Sequence, residues 1–523
     1  MKRIKLFLLS ILGVMVLNTS CEDFLNEEVI TEVSVDYLYS SGEGLQVAVN
    51  ALYNRMRRHN FPAQEGEPLR ANVFFYMADD LGLNRTWHRP YGPNWNSSSV
   101  DAFKWTHTYQ IIDRANAVIT AARNVEMNET VRNSVLAQAR IIRAELYLDL
   151  IRMYDNILLD TIATTPENAF DDRVYEVADP ADVFKLIDDD LDFAIQHLPW
   201  SVEFGRYGKG VAHHIKGKSL LWQAQYLNMG NHKYAEAAAH FDAIVENGTH
   251  RLVALNQVFG QNLNHAEALF VYRRNEVLGG SDELAGGGGT WIGAVFQARF
   301  YEIPGGHILR DPVYGGEALG WSFPNDYLKS LYDQENDQRF TTYYYSEQLI
   351  GNNPNSPYFG QAIPESLIRD NFREYRWSLK KFFDEEKVAT TNNSYKDNML
   401  YRFAETLLLG AEAHWRADNQ NPHNAKALEY INMIRTRAGV APFTSFDKES
   451  YLEESARELA FEKNRWFLLK RIGELVQRQN THYRYGSSST NVVPEPMAPH
   501  MIRLPIPQSQ IELMGTFPQN PGY

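Results

Sequence analysis

SLLWQAQYLNMGNHKYAEAAAHFDAIVENG (residues 219–248) and TLLLGAEAHWRADNQNPHNAKALEYINMIRTRAG (residues 406–439) are two versions of one design. Each opens with an Ala-rich apolar run, breaks at a short Asn-containing turn and continues into a second helix with Ala-Ala or Ala-Leu at its centre. They end at Gly248 and Gly439. Small residues in mid-helix let neighbouring helices approach closely, which is the pattern of tetratricopeptide-like helix pairs. The copies lie far apart and match loosely, so the pattern predicts a helical platform interrupted by an insertion and not a regular solenoid.

Between the copies the character changes. Residues 249–397 hold clusters of Gly and Pro, long loops, and short alternating stretches such as Ala268 to Arg273 that predict strands. Gly286 to Gly289 precede Trp291, and PVYGGEALGWSFP (312–324) carries Trp321. Loops of this length inside a compact protein are usually functional. Helical rhythm returns at Asn398 and runs to about Arg478, followed by a polar stretch and the Pro-rich extended tail LPIPQSQIELMGTFPQNPGY (504–523).

Upstream of the first copy, Gly44 to Arg57 predicts a helix, and Trp105 to Pro199 reads as helices, among them Tyr109 to Arg123, Val135 to Tyr154 and one opened by Asp179-Pro180. In Val135 to Tyr154 the stripe Leu136, Ala139, Arg143, Leu146, Leu150, Tyr154 includes a charge. Arg143 therefore needs a buried carboxylate, for which Asp113 one helix earlier is a candidate. Asp179-Pro180 supplies an N-cap and a first-turn proline. Asp188, Asp189, Asp190 and Asp192 on that helix read as a solvated face. Leu81 to Lys104 (LGLNRTWHRPYGPNWNSSSVDAFK) breaks the rhythm with turn residues, yet carries Trp87, Tyr91 and Trp95 among polar side chains.

The first 28 residues are an address. Lys2, Arg3 and Lys5 precede an apolar run of 12 residues, Leu6 to Leu17, and the sole cysteine, Cys21, follows Asn18, Thr19 and Ser20. A permanent span needs roughly 20 apolar residues, so the run reads as the h-region of a signal peptide. Cys21 after small residues fits a lipobox, although Asn18 stands where Leu is usual. Two or three acyl chains on Cys21 would anchor the protein stably. The acidic residues Glu22, Asp23, Glu27 and Glu28 form a short tether. The organisation expected is thus a signal peptide at 1–20, a helical region at 21–248 and a C-terminal region at 249–523, folded as one compact unit.

The 523 residues carry a formal charge of −14, which becomes −17 when Lys2, Arg3 and Lys5 leave with the signal peptide. With no basic stripe to offset that field, nucleic acid is not expected as a partner. A lipidated Cys21 leaves no disulfide, so stability must come from packing. Motifs for chemistry fail one by one. Gly217-Lys218-Ser219 lacks the earlier Gly of a phosphate loop, because position 212 is Ala212. Asp333, Glu335 and Asp337 echo a calcium loop, but Gln338 and Tyr344 occupy its Gly and Glu positions. His213 and His214 point about 100° apart on a helix and share no metal face. No catalytic residue, metal site or cofactor is expected.

The tryptophans sort by context. Trp105, Trp222, Trp415 and Trp466 fall in helical patterns and are expected in the core. Trp87, Trp95, Trp291 and Trp321 sit in Gly/Pro/Asn-rich loops, where a flat ring can stack on the CH face of a sugar while Asn, Arg and Asp bind its hydroxyls. Peptide binding fits the same rings.

The whole pattern resembles the SusD/RagB family of outer-membrane lipoproteins. CEDFLNEE (21–28) resembles its lipidated start, and YQIIDRANAVI (109–119) and AQARIIRAELYLDLIRMYDNILL (137–159) resemble two helical signatures. YRFAETLLLGAEAHW (401–415), INMIRTRAGV (431–440), ARELAFEKNRWFLLKR (456–471) and the closing tail follow in family order. The resemblance implies a mainly α, SusD-like fold, with four tetratricopeptide-like helix pairs as scaffold and a loop-rich insertion with short strands. It implies a surface lipoprotein, anchored in the outer membrane by its lipid. Such a protein captures oligosaccharide or polysaccharide and caps a SusC-like TonB-dependent transporter as its lid. Peptide capture is the alternative and a surface glycosidase a remote one. The implied ligand residues are Asn84, Arg85, Trp87, Tyr91 and Trp95 after Asp79-Asp80-Leu81, with Trp291 and Trp321 from the insertion.

Overall fold

The computed structural model of the chain describes residues 35–62, 78, 81–83, 95–274, 289–345, 348–367, 378–387, 393–485 and 496–523. Cys21 and its tether lie outside them, as do Asn84, Arg85, Trp87 and Tyr91. The N-terminal half contributes α1 (Val35–Ser40), α2 (Gly42–Asn60), β1 (Leu81–Leu83), α3 (Phe103–Asn124), α4 (Glu129–Met153), α5 (Pro180–His197), α6 (Lys209–Tyr226) and α7 (Gly230–Asn247). The insertion adds β2 (Ala268–Tyr272), β3 (Ser322–Pro324) and single helical turns. After it come β4 (Asn398–Arg402), α8 (Phe403–Ala417), α9 (Ala425–Ala438), α10 (Lys448–Leu459), α11 (Arg465–Arg471), α12 (Leu475–His482), β5 (Arg484–Tyr485) and α13 (Gln508–Met514).

From α2 to α9 each helix packs on the next, and the alternate helices α2, α4, α6 and α8 also touch in succession. That is the contact pattern of four stacked helix pairs. The long insertion between α7 and α8 does not interrupt it, because α8 lies directly on α7. The two repeated stretches are the third and fourth pairs. Their terminal glycines are left-handed C-caps, Gly248 at φ +74° and Gly439 at φ +80°. Their mid-helix glycines set the spacing. A Cβ on Gly217 would lie 2.5 Å from the Phe241 ring, and one on Gly410 would lie 2.9 Å from Tyr430. Trp105, Trp222, Trp415 and Trp466 are all buried, as their helical spacing predicted. No helix among the described residues is long and apolar enough to cross a membrane.

Four local expectations are corrected. Arg143 is buried and forms a two-pronged ion pair with Asp190, Nε to Oδ2 at 2.8 Å and Nη2 to Oδ1 at 2.9 Å, while Nη1 donates to Asn116. Asp113 instead accepts from the Thr164 amide at 2.7 Å. Asp190 therefore belongs to the core, and Asp188 accepts from Lys216 and Gln223, so half of the acidic run faces α4 and α6 and not water. Residues 398–402 form a strand before α8 begins, antiparallel to β2 with Ala268 opposite Arg402 and Tyr272 opposite Asn398. The span from Trp105 to Pro199 contains α3, α4 and α5, but residues 154–179 between the last two are irregular.

The insertion is locked to the platform by buried charge. Arg402 donates from Nη1 to Glu267 Oε1 at 2.9 Å and Glu458 Oε1 at 2.6 Å, and from Nε to Glu462 at 2.6 Å. Arg339 from the insertion reaches Glu454 at 2.8 Å, Glu458 at 3.1 Å and its own neighbour Asp337. Arg437 on α9 spans Glu267 and Glu458, and Lys381 reaches Glu462 at 2.6 Å. Burial alone would raise Glu454, but Arg339, Arg457 and Arg435 outweigh it and hold it near 2. The same balance, with Arg437 first among the cations, keeps Glu458 well below the usual carboxylate range.

Candidate functional site

A second, three-stranded sheet organises the loop region. β1 is its middle strand, antiparallel to β3 with Leu81 opposite Pro324 and Leu83 opposite Ser322, and parallel to β5 with Leu83 opposite Tyr485. Three pieces of chain that are remote in sequence thus meet at Leu83. The chain leaves Leu83 toward Asn84, and Ser322 directly follows Trp321. The residue before the early loop and the residue after Trp321 therefore lie on paired strands.

Trp291 opens a single helical turn, Ile292–Phe296, at a junction of four segments. Its backbone N–H donates to the Pro62 carbonyl at 3.2 Å, and its indole Nε1 donates to Asn393 Oδ1 at 2.8 Å. Thr290 and Ser394 exchange backbone bonds of 2.9 and 3.0 Å beside it. Buried Arg274 closes the junction, donating to Gly289 O at 2.7 Å and Phe61 O at 2.6 Å. The Trp291 ring is half-buried, packed on the core by one part and open along the rest. A partly exposed ring held by its N–H is suited to stacking.

Trp95 is also half-buried. It lies by the C-terminal tail, where its side chain meets the Tyr523 hydroxyl, and Gln508 is bound by Ser97 through both backbone and side chain. Trp321 is a correction. Its side chain is fully buried in the main core, and its backbone N–H donates to Val295 O at 3.0 Å. A ring with no face in water cannot stack on a sugar, so Trp321 is a core residue. The loop composition that made it a candidate says nothing about the packing that buries it.

One surface was not foreseen. The turn from Trp200 to Arg206 separates two open clefts. One, of about 470 Å³, lies between α2, α4 and this turn and is lined by Gln46, Asn50, Ser134, Gln138, Glu203 and Arg206 among others. The other, of about 430 Å³, is lined by Trp200, Phe204, His250, Asn264 and neighbours. Trp200 stacks on His213 with centroids 5.4 Å apart and planes at 7°, and Arg206 lies over the Tyr53 ring. The signal in sequence was the Pro199-Trp200 step at a helix end. Elsewhere polar side chains pair internally: His213 meets His240 at 2.9 Å, His214 meets Thr406, and Lys218 meets Glu405 at 2.7 Å. Among the described residues no three His, Cys, Asp or Glu side chains are grouped to hold a metal.

Comparison with known proteins agrees with this architecture. The chain is 24% identical over 553 aligned positions to SusD-like protein P25 of Formosa agariphila, covering 94% of each. Its fold superposes on a laminarin-binding SusD-like protein with a TM-score of 0.70 at 22% identity, over 93% of this chain and all of that one. It also superposes on surface glycan-binding protein A of Bacteroides thetaiotaomicron, solved with laminarihexaose, with a TM-score of 0.69 at 19% identity, over 92% of this chain and all of that one. At these identities the structural likeness speaks for the fold. The SusD family profile matches residues 262–523, half of the sequence, from within the insertion to residue 523, and the chain belongs to the SusD family.

Proposed function

We propose that this protein is a non-catalytic glycan-binding lipoprotein of the outer cell surface. It captures oligosaccharides and hands them to a SusC-like TonB-dependent transporter in the outer membrane, over which it acts as a lid. The observation that carries the reading is membership of the SusD family, joined to structural neighbours described as binding laminarin and laminarihexaose. The ligand residues proposed are Asn84, Arg85, Trp87, Tyr91 and Trp95 of the early loop and Trp291 of the insertion. Trp291, held by Asn393 with ring surface left in water, offers the stacking face. Lipid on Cys21 and the acidic residues after it give a leash on which the body can swing. Residues 21–248 and 249–523 act as one rigid unit on that leash.

Calorimetry with laminarihexaose, a panel of other oligosaccharides and a peptide panel tests this reading. Saturable binding of a glycan with no product released supports it. Binding of peptides alone would transfer the proposal to peptide uptake, and hydrolysis of any glycan by pure protein would overturn the non-catalytic assignment.

A further inference from the structure

The segment joining α4 to α5 is firmly held at its base and unpacked at its tip. Tyr147 both donates to the Asp160 carbonyl at 2.7 Å and accepts from its amide at 2.8 Å. Asn116 donates to the same carbonyl, and Asp113 receives the Thr164 amide. Asn168 closes a turn by bonding Ala163 O and Thr165 N, and Ala178 N returns to Ile157 O at 2.9 Å. Between these anchors a row of large apolar side chains stands in water. Phe170 is 97% exposed, Val174 84%, Ile162 66%, Val177 40% and Tyr175 36%. Asp172 to Val177 makes no backbone hydrogen bond with the rest of the chain among the described residues. In its core, Arg173-Val174-Tyr175-Glu176-Val177, the residues Val174, Tyr175 and Val177 favour strands. An ordered, β-prone stretch with open backbone groups and exposed apolar side chains is a template for pairing with another chain.

We infer that residues 162–177 are a docking arm for a protein surface with an apolar pocket rimmed by Lys and Arg. On the transporter reading given above, on which this inference rests, that surface belongs to the extracellular side of the transporter. Charge selects this occupant. The arm and its flanks carry Asp160, Glu167, Asp171, Asp172, Glu176 and Asp179 against the one cation Arg173, which is already tied to Asp160 at 3.2 Å. A second copy of this chain, at −17 once Lys2, Arg3 and Lys5 are removed, repels that segment, and so does an anionic lipid surface. A basic protein rim attracts it and leaves Phe170 and Val174 as anchors for a pocket.

The test uses the full lipidated protein, a purified SusC-like TonB-dependent transporter from the same cell, and the variants Phe170→Asp, Val174→Asp and the conservative Val174→Ile. Affinity is read by light interferometry in detergent. We expect each Asp variant to bind at least tenfold more weakly, Val174→Ile to bind like wild type, and affinity to fall as salt is raised, with melting temperature and oligosaccharide binding unchanged. Equal binding by all four proteins overturns the arm while leaving the transporter reading intact. Failure of the wild type itself to bind overturns both. Dimers of the wild type that the Asp variants abolish would overturn the basic-partner assignment.

Discussion

Glu458→Gln should destabilise the whole protein by several kcal/mol in a single step. The side chain is fully buried and its two oxygens serve Arg402 at 2.6 Å, Arg339 at 3.1 Å and Arg437. An amide of the same shape keeps the volume but removes the charge and turns an NH₂ toward guanidinium groups. Breaking a buried pair in this way costs about 3–5 kcal/mol, because the remaining charges lose their compensation. Unfolding entropy of about 2.1 cal/mol/K per residue gives roughly 1 kcal/mol/K for a chain near 500 residues, so the melting temperature should fall by about 3–5 °C. The control is Asp189→Asn, which removes an exposed partner of Lys185 on the same helix and should shift melting by less than about 1 °C. Scanning calorimetry on both variants is the assay. Because Glu458 joins Arg339 of the insertion to Arg402 and Arg437 of the platform, one transition should move as a unit. A Glu458→Gln protein that melts within 1 °C of wild type would refute the role assigned to the network. Two separated transitions would refute the coupling of insertion and platform.

Other outcomes follow from the same geometry. Gly217→Val should cost about 1–3 kcal/mol in denaturant titrations, since even a Cβ at that position meets the Phe241 ring at 2.5 Å. Trp321→Ala should lose about 3–5 kcal/mol of stability, whereas Trp291→Ala, half-buried, should lose under about 2 kcal/mol and show its main effect in glycan calorimetry; comparable stability losses in the two would place Trp291 in the core. Acid should unfold the protein steeply between pH 4.5 and 2. Burial opposes the charge of Glu405, Glu412 and Glu454, but Lys218 and His214, Arg471 and Arg416, and Arg339, Arg457 and Arg435 respectively hold them near 2. A depressed folded-state carboxylate stabilises above its unfolded value and loses that contribution as pH falls through its folded one. Glu145, pushed up to about 7 by burial, has the opposite sign and has made its full contribution once pH drops below 4.5. A flat stability profile from pH 4.5 to 2.5 would contradict the three carboxylate assignments.

The platform was legible because its rules are local. Helical spacing, a small residue at each crossing and a terminal glycine are all written within a few turns, and Gly217, Gly248, Gly410 and Gly439 perform those duties in the structure. Tryptophans set in a helical rhythm could be assigned to the core for the same reason. What failed depended on partners distant in sequence. Trp321 is buried in the main core, its backbone bonded to Val295 just before β3 begins, which nothing in the Gly-rich loop around it reveals. Asp190 lies in an acidic run that looks solvated until α4 is packed against it with Arg143. The network of Glu267, Arg339, Arg402, Arg437 and Glu458 draws on five separate segments, and each residue alone reads as an ordinary surface charge. Its acids and arginines nonetheless fall largely within the stretches that carried the family resemblance, 401–415, 431–440 and 456–471.

That network bears on the proposed site through rigidity. A shallow stacking site gains affinity when its rings are held before the ligand arrives, because each side chain ordered on binding costs about 0.5–1.5 kcal/mol. Trp291 meets this condition by three independent ties: its indole to Asn393, its backbone to Pro62, and the junction closed by Arg274. Asn393 and Ser394 lie just before β4, whose last residue is Arg402, so the ring that faces water is separated from the buried charges by one short strand. A weakened network should therefore loosen Trp291 before it unfolds the chain. Glu458→Gln should then lower glycan affinity at temperatures well below its melting point, with no change in any residue near the ligand. Unaltered affinity in that variant, measured at 25 °C beside its lowered melting temperature, would show that the site is held by the junction alone.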